Sequence, residues 1–137
     1  MVKDIFLLGS TGSIGNSTLN VIRKSKNKFR IKLLSANKNT NKLLKQAIEF
    51  NVKKVVIHNK NRLNNDCKRF EKKNITVYNS VKDFFKKNKT KSFLTINAIS
   101  GIHGLEPTLN IIKHSKNLAI ANKESIICGW RFINAAL

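Results

Sequence analysis

The sequence contains little proline and glycine, few cysteines and few acidic residues, and each shortage narrows the possibilities. One proline and six glycines among 137 residues argue against a disordered or low-complexity chain. Cys67 and Cys128 stand far apart, without a CxxC pair or a histidine at metal-ligand spacing, so neither a disulfide framework nor a zinc site is indicated. No apolar run approaches the roughly 20 residues that a membrane-spanning helix needs.

The shortage of acidic residues leaves 7 Asp and Glu against 27 Lys and Arg, a formal net charge of +20. Such a surplus can indicate binding to nucleic acid or to an anionic membrane. Lysine far outnumbers arginine and asparagine is abundant, however, which is the composition that AT-rich codons favour. The lysines are also scattered along the chain without interleaved aromatic residues. Compositional bias therefore explains the charge better, and nucleic acid is kept only as an alternative partner.

What is present suits one globular domain. The apolar fraction is 41%, and we expect residues 1–137 to form a single domain. Met1 is followed almost at once by an apolar strand, which predicts that no signal or transit peptide precedes it. Together with two unpaired cysteines, this predicts a cytoplasmic protein with reduced thiols and no membrane partner.

The most informative stretch is a glycine-spaced turn between the apolar strand at Ile5–Leu8 and a predicted helix over Ser13–Arg23. Its residues are Gly9, Ser10, Thr11, Gly12, Ser13, Ile14 and Gly15. A strand that restarts as a helix leaves free backbone N–H groups in one small space, and the helix dipole adds positive charge there. The turn therefore predicts a phosphate site, with Ser10, Thr11 and Ser13 adding hydroxyl donors. The GxxGxxG spacing alone also allows an ordinary glycine-rich turn.

Short apolar strands alternate with amphipathic helices along the whole chain. Strands are predicted at Ile5–Leu8, Phe29–Ser35, Val55–Ile57, Ile75–Tyr78, Phe93–Asn97 and Leu118–Ala121. This alternation predicts an α/β fold, a doubly wound parallel sheet of the Rossmann type with helices on both faces. In such sheets ligands bind beyond the carboxyl ends of the strands, where the strand order reverses.

Two further strand ends carry polar residues that favour a dinucleotide. Asn37-Lys38-Asn39 follows the second strand, where an NAD site usually places an acid for the ribose 2′-hydroxyl. A cation between two amides suits a 2′-phosphate instead. Because the chain is rich in lysine, Lys38 can also stand at this position without a role in binding. Asn122-Lys123-Glu124-Ser125 follows the last strand, where a nicotinamide and a substrate would meet, and Lys123 offers a charge to a substrate oxygen. Asn122 is equally suited to cap a helix.

No catalytic or metal-binding constellation can be assigned from the sequence. The acidic residues form no paired-carboxylate motif, and neither a Ser-His-Asp nor a Cys-His arrangement is present. His58, His103 and His114 each stand alone, which predicts structural or surface roles. His114 lies near a predicted helix C-terminus, where a positive charge would interact with the dipole.

Four motifs occur in order: the glycine turn, Ala36–Asn39, Leu105–Leu109 and Ala121–Ser125. Together they resemble the N-terminal, NADPH-binding domain of the 1-deoxy-D-xylulose 5-phosphate reductoisomerase family, over essentially the whole chain. The pair GSTGSIG and ANKES is the specific part. The resemblance implies an oxidoreductase of the non-mevalonate isoprenoid route, which isomerises 1-deoxy-D-xylulose 5-phosphate and reduces the aldehyde with NADPH. The product is 2-C-methyl-D-erythritol 4-phosphate, and a divalent metal (Mg, Mn or Co) takes part.

The resemblance also assigns roles to residues at the three strand ends. Within the turn from Gly9 to Gly15, the NADPH pyrophosphate and adjacent groups are held by Thr11, Gly12, Ser13 and Ile14. Asn37, Lys38 and Asn39 are expected to contact the 2′-phosphate. Asn122 and Glu124 are expected to contact the cofactor nearer its nicotinamide, and Lys123 is expected to contact the substrate. Family members often have glycine where Asn37 stands, and we expect the turn to survive because asparagine tolerates positive φ.

Family enzymes are much longer, and their acidic metal-binding segment, substrate-phosphate site and mobile lid follow the position of Leu137. We therefore expect residues 1–137 to bind NADPH without completing the reaction, with the metal ligands absent. The family is homodimeric. The alternatives are another NADP-dependent reductase such as a semialdehyde dehydrogenase, a basic nucleic-acid-binding module, or a relic domain whose last helix exposes an apolar face.

Overall fold

The computed structural model describes all 137 residues and contains a six-stranded parallel sheet with helices on both faces. The strands are β1 (Lys3–Leu8), β2 (Phe29–Ala36), β3 (Lys54–Ile57), β4 (Thr76–Tyr78), β5 (Ser92–Asn97) and β6 (Ser115–Ile120). The helices are α1 (Ser13–Arg23), α2 (Thr40–Glu49), α3 (Lys60–Glu71), α4 (Val81–Lys87), α5 (Leu105–Ile111) and α6 (Lys123–Ala136). Two short 3-10 turns flank α5, at Ile102–Gly104 and Ile112–His114.

The strand order in the sheet is β4-β3-β2-β1-β5-β6. The chain runs outward from β1 to β4, crosses back over the sheet, and adds β5 and β6 on the other side of β1. The order therefore reverses between β1 and β5, which makes that point the switch point of the sheet. The predicted doubly wound α/β fold is confirmed.

The core consists of two apolar clusters, one on each face of the sheet. Successive side chains of a strand point to opposite faces, so Ile5 and Leu7 of β1 belong to one cluster, whereas Phe6 and Leu8 belong to the other. Helices α1, α2 and α3 contribute to the first cluster, and α4 and α5 to the second. Burial on both faces explains why β1 reads as a continuous apolar run instead of an alternating one.

The last strand differs most from its prediction. The expected strand was Leu118–Ala121, but β6 begins at Ser115 and ends at Ile120. It lies at the edge of the sheet and pairs only with β5, so its first residues, Ser115-Lys116-Asn117, can stay polar. An edge strand of this kind carries no apolar signal at its start.

Helix α6 buries one side and leaves apolar residues on the other. Ser125, Gly129 and Ile133 face the protein, whereas Trp130 and Phe132 are 51% and 59% exposed. Gly129 lies so close to Leu105 of α5 that a Cβ atom there would overlap the Leu105 side chain. None of the six helices combines the length and apolar character that a membrane crossing requires.

Candidate functional site

A cavity of about 550 Å³ opens at the carboxyl end of the sheet, beside the switch point. Its wall is built from residues at and just beyond the carboxyl ends of the first five strands, and from the 3-10 turn and helix α5 that follow β5. These residues are Gly9, Thr11, Gly12, Ser35, Ala36, Asn37, His58, Ser80, Val81, Ala98, Ile99, Ser100, His103, Glu106, Pro107 and Asn110. This is the position at which ligands bind in open α/β sheets.

Gly9 allows β1 to end directly against β5. Its φ of +75° is a conformation that favours glycine, and a Cβ atom there would lie 2.8 Å from the backbone of Ala98 and Ile99. The Gly9 N–H donates to Ser35 Oγ at 2.9 Å, which joins the turn to the end of β2. The glycine thus shapes the cavity floor where the two halves of the sheet meet.

Gly12 and Gly15 have different surroundings. A Cβ atom at Gly15 would overlap the Gly9 carbonyl oxygen and lie 2.6 Å from the backbone of Ser10, so this glycine lets α1 pack against the turn. At Gly12 the nearest atom would be the Gly9 oxygen at 3.8 Å, and the position opens into the cavity. Gly12 therefore has room beside it for a bound group.

The N-terminus of α1 lacks a side-chain cap. Gly12 occupies the cap position, no side chain accepts from the first-turn N–H groups, and the first turn holds no acid. In contrast, Asn39, Asn59 and Ser80 cap α2, α3 and α4 with side-chain oxygens. Free N–H groups and a positive dipole beside Thr11 and Gly12 suit an anion such as a phosphate. Ser13 and Ile14 lie at the start of α1, exposed to solvent.

Ser10 corrects one expectation. Its side chain is fully buried, and its hydroxyl donates to Gln46 Oε1 at 2.8 Å, with the Ser35 carbonyl at 3.3 Å. Gln46 Nε2 in turn donates to the Ser10 carbonyl at 3.0 Å. The Ser10 hydroxyl therefore fixes the turn from behind and is not directed at a pyrophosphate. Gln46 carried no signal in the sequence because it is a polar residue among the apolar positions of α2.

The turn after β2 brings three polar residues to the edge of the cavity. Asn37 lines the cavity, Lys38 is exposed, and Asn39 Oδ1 caps α2 by accepting from the Lys42 N–H at 3.2 Å. Positive φ among non-glycine residues occurs only at Asn51 and Asn74. The turn at Asn37 therefore does not use the positive φ that we expected asparagine to tolerate there.

Asn122 corrects a second expectation. It is buried, its Nδ2 donates to the carbonyls of Ile99 and Gly101, and its Oδ1 accepts from the N–H groups of Glu124 at 2.9 Å and Ser125 at 3.2 Å. Both atoms are used inside the domain, so the side chain acts as the α6 cap and ties α6 to the loop after β5. Its direct contact with a cofactor is not supported by this arrangement.

Lys123 and Glu124 are exposed at the start of α6 and are not part of the cavity wall. Of the predicted site residues, the structure thus brings Gly9, Thr11, Gly12 and Asn37 together in one cavity. Lys38 and Asn39 adjoin Asn37 in sequence at its edge. Ser10, Gly15 and Asn122 shape the site from behind its surface.

His58 is a cavity residue that sequence reasoning missed. It directly follows β3, and its Nε2 is buried without a hydrogen-bond partner. Burial lowers the pKa of His58, and the nearby charge of Glu106 opposes that shift. Its place at a strand's carboxyl end was the signal that could have found it. His103 and Glu106, also missed, belong to the same wall.

His114 lies in the 3-10 turn that follows α5, near the helix C-terminus as predicted, and it has a structural role. Its ring stacks on Phe85 with the centroids 3.8 Å apart and the planes 8° from parallel. Burial, followed by the charges of Lys91 and Lys113, lowers the pKa of His114. The lowered pKa of His114 weakens the predicted interaction of its charge with the helix dipole. No three His, Cys, Asp or Glu side chains are grouped closely enough to hold a metal ion.

Known proteins share the sequence and the fold of this chain. The family model described as 1-deoxy-D-xylulose 5-phosphate reductoisomerase matches residues 5–129. The reductoisomerase of Pelagibacter ubique (strain HTCC1062) is 45% identical over 139 residues, which cover 99% of this chain and 36% of the relative. The solved structure of the Zymomonas mobilis enzyme in complex with NADPH aligns with a TM-score of 0.87 and 31% identity, over 99% of this chain and 36% of that one.

A further reductoisomerase structure, in complex with NADPH, fosmidomycin and magnesium, aligns with a TM-score of 0.82 at 26% identity. This chain covers 34% of the length of that structure, and it spans about a third of each of these relatives. The shared third corresponds to their N-terminal domain. The resemblance drawn from the glycine turn and the ANKES motif is confirmed, and the chain belongs to the 1-deoxy-D-xylulose 5-phosphate reductoisomerase family.

Proposed function

We propose that this domain binds NADPH in the cavity at the switch point of the sheet. The observation that carries the proposal is the uncapped N-terminus of α1, which meets the open space beside Gly12. A pyrophosphate there accepts from the first-turn N–H groups of α1, with Thr11 and Ser13 within the same turn. The related Zymomonas mobilis structure holds NADPH, which supports this choice of ligand.

The preference for a 2′-phosphate rests on the turn after β2. Asn37 faces the cavity, Lys38 follows it as an exposed cation, and Asn39 keeps its Nδ2 free because only its Oδ1 is used as a cap. No acid stands in this turn to accept from a ribose 2′-hydroxyl. We therefore assign the 2′-phosphate to this turn and expect NADPH to bind more tightly than NADH.

The nicotinamide end is assigned to the other side of the switch point, toward the loop after β5 and the start of α6. Asn122 positions this region by joining the loop at Ile99 and Gly101 to α6. Glu124 is the residue there with a free side chain for the cofactor, and Lys123 offers its ammonium group to an oxygen of the substrate.

The wider proposal follows the family. In the complete enzyme the substrate is 1-deoxy-D-xylulose 5-phosphate, the product is 2-C-methyl-D-erythritol 4-phosphate, and the enzyme is a cytoplasmic homodimer with a divalent metal. When bound, NADPH supplies the hydride that reduces the aldehyde. The side chains of these 137 residues do not group into a metal site, so no step here is assigned to a metal. For this chain alone we propose cofactor binding without turnover.

The cofactor site can be tested by titrating the 137-residue chain with NADPH and NADH at moderate salt, in the presence of competing DNA. Binding can be followed by nicotinamide fluorescence or by energy transfer from Trp130, the only tryptophan. We expect saturable binding that favours NADPH. Equal binding of both nucleotides, with DNA displacing each, would favour the basic nucleic-acid-binding alternative instead.

Two variants test where the phosphates bind. Gly12→Asp places a carboxylate where the pyrophosphate is proposed and should abolish binding, whereas Gly12→Ala adds only a methyl group to this space and separates the effect of bulk from the effect of charge. Lys38→Glu should weaken NADPH by about tenfold or more and change NADH little, because a charge-assisted contact is lost only with the 2′-phosphate. Unchanged NADPH binding in both charged variants would contradict the assigned positions.

A further inference from the structure

The geometry points to His58 as the residue that recognises the adenine base of the dinucleotide, through a hydrogen bond between its Nε2 and the edge of the base that carries the 6-amino group and N1. This inference rests on the proposed NADPH site and adds a residue to it. Neither the glycine turn nor the ANKES motif contains His58.

The position of His58 follows from the hydrogen bonds that continue beyond the ends of β2 and β3. The His58 N–H donates to the Ala36 carbonyl at 3.0 Å, and the Asn59 N–H donates to the Asn37 carbonyl at 3.3 Å. His58 is therefore the immediate neighbour of the turn assigned to the 2′-phosphate. It also borders the same cavity as Gly12.

The strand order then fixes the direction of the ligand. The pyrophosphate is assigned to the end of β1 and the adenosine ribose to the end of β2, so the base continues to the end of β3, next in the order. The nicotinamide lies in the opposite direction, toward β5. His58 is the residue at which the β3 end meets the cavity.

The chemistry of the His58 side chain suits this place. Its Nε2 is buried, lacks a partner within the protein and belongs to a residue of the cavity wall, so a ligand group can complete its hydrogen bonding. A neutral imidazole nitrogen either donates or accepts, and the chosen edge of adenine offers both a donor and an acceptor. Ala36 and Val81, from neighbouring parts of the wall, add apolar contact surface for a flat ring.

The charges around His58 agree with a neutral imidazole. The only charged side chain in the cavity wall is Glu106 of α5, and the only other titratable one is His103 in the 3-10 turn before it. Burial outweighs the Glu106 charge and lowers the pKa of His58, which favours the uncharged form of the ring.

The test compares NADPH with an analogue in which 1-deazapurine replaces adenine, so that the chosen edge carries neither the 6-amino group nor N1 and offers no partner to either tautomer of His58. Dissociation constants are measured for the wild-type chain, for His58→Phe, and for His114→Phe as a control histidine outside the cavity. We expect the wild type and the control to prefer NADPH about five- to tenfold, the effect of one hydrogen bond. His58→Phe should bind both nucleotides equally.

The thermal stability of His58→Phe separates recognition from a structural role, because the removed Nε2 has no partner and its loss should not lower Tm. His58→Leu, which likewise lacks a hydrogen-bonding group, gives a second variant if the phenylalanine chain does not fold. A wild type without preference for NADPH, or a preference retained in the His58 variants, overturns the inference while leaving the cofactor site intact. Failure of the wild type to bind NADPH at all overturns both the proposed function and this inference.

Discussion

At the scale of single residues, Gly12 and Gly15 stand three positions apart in one motif and have different structural roles. Gly15 lets a helix contact a turn, and Gly12 leaves space in front of that helix. Their spacing predicted a phosphate-binding turn, but the sequence does not show which glycine faces the ligand. The inward direction of Ser10 was equally hidden, because its partners Ser35 and Gln46 come from β2 and α2 and meet it only in the folded chain.

We predict that Gly15→Ala lowers the free energy of unfolding by about 3 kcal/mol, because the added methyl group would overlap backbone atoms that cannot rotate away. Urea unfolding measures the change. Gly12→Ala, with its nearest atom at 3.8 Å, should cost less than about 1 kcal/mol. Equal losses of stability in the two variants would contradict the difference in packing described for Gly12 and Gly15.

His58 also makes a prediction about pH. Its pKa is lowered in the folded chain, so on acidification below about 6.5 the unfolded chain takes up this proton first and stability falls. His114 acts in the same direction. Urea unfolding at pH about 7.5 and about 5.5 should show that His58→Phe and His114→Phe each lose less stability than the wild type over this interval. A wild type that gains stability on acidification would contradict this sign.

At the scale of secondary structure, strong local signals placed the elements well. The bounds of α1 agree with the predicted Ser13–Arg23, because a glycine turn and a clear apolar period mark it. In α3, Leu63, Cys67 and Phe70 recur at helical spacing, yet only Phe70 is fully buried. Asp66 is buried instead, which no apolar period can reveal, because its partner Thr40 lies at the start of α2.

Thr40 and Asp66 join the start of α2 to α3, just after the turn assigned to the 2′-phosphate. The Thr40 hydroxyl donates to Asp66 Oδ2 at 2.6 Å. This hydrogen bond, followed in importance by the Arg69 side chain, lowers the pKa of Asp66 against the opposing effect of burial. We predict that Thr40→Val lowers the free energy of unfolding by about 2 kcal/mol near neutral pH.

The pH dependence of this loss of stability tests whether the hydrogen bond to the Asp66 carboxylate causes it. A lowered carboxyl pKa stabilises the fold above the unfolded value of about 4, and this contribution disappears as Asp66 is protonated. The difference between the wild type and Thr40→Val should therefore shrink toward acid pH, in unfolding curves or in a side-chain titration by NMR. Thr40→Ser keeps the hydroxyl and should behave like the wild type. A loss that is independent of pH would point to packing alone.

At the scale of the whole molecule, the alternation of strands and helices predicted a doubly wound sheet, and the carboxyl ends of its strands predicted where to search for the site. The pattern could not give the strand order, which depends on the face that each crossover helix covers. The charge of +20 was also uninformative about the site, because the cavity wall itself contains one charged side chain, Glu106. The surface charge can still speed the arrival of an anionic dinucleotide at low salt.

The exposed side of α6 gives a prediction for the molecule in solution. Phe132 is 59% exposed, whereas its neighbour Ile133 is 2% exposed. Phe132→Lys should reduce the fluorescence of a surface-binding apolar dye and change the free energy of unfolding by less than about 0.5 kcal/mol. Ile133→Ala, the matched control, should cost roughly 2–4 kcal/mol. Equal destabilisation by both would show that Phe132 is packed.

The central place of β1 has a consequence for synthesis. Of the six strands, β1 leaves the ribosome before the others, and it can pair with β2 soon afterwards. Its other neighbour, β5, lies late in the domain, with Leu94 opposite Ile5. Until then one side of β1 is an open edge with unpaired backbone groups. Closing this long-range parallel pair is a slow step in folding, so a nascent chain of this domain is most vulnerable to aggregation before β5 emerges.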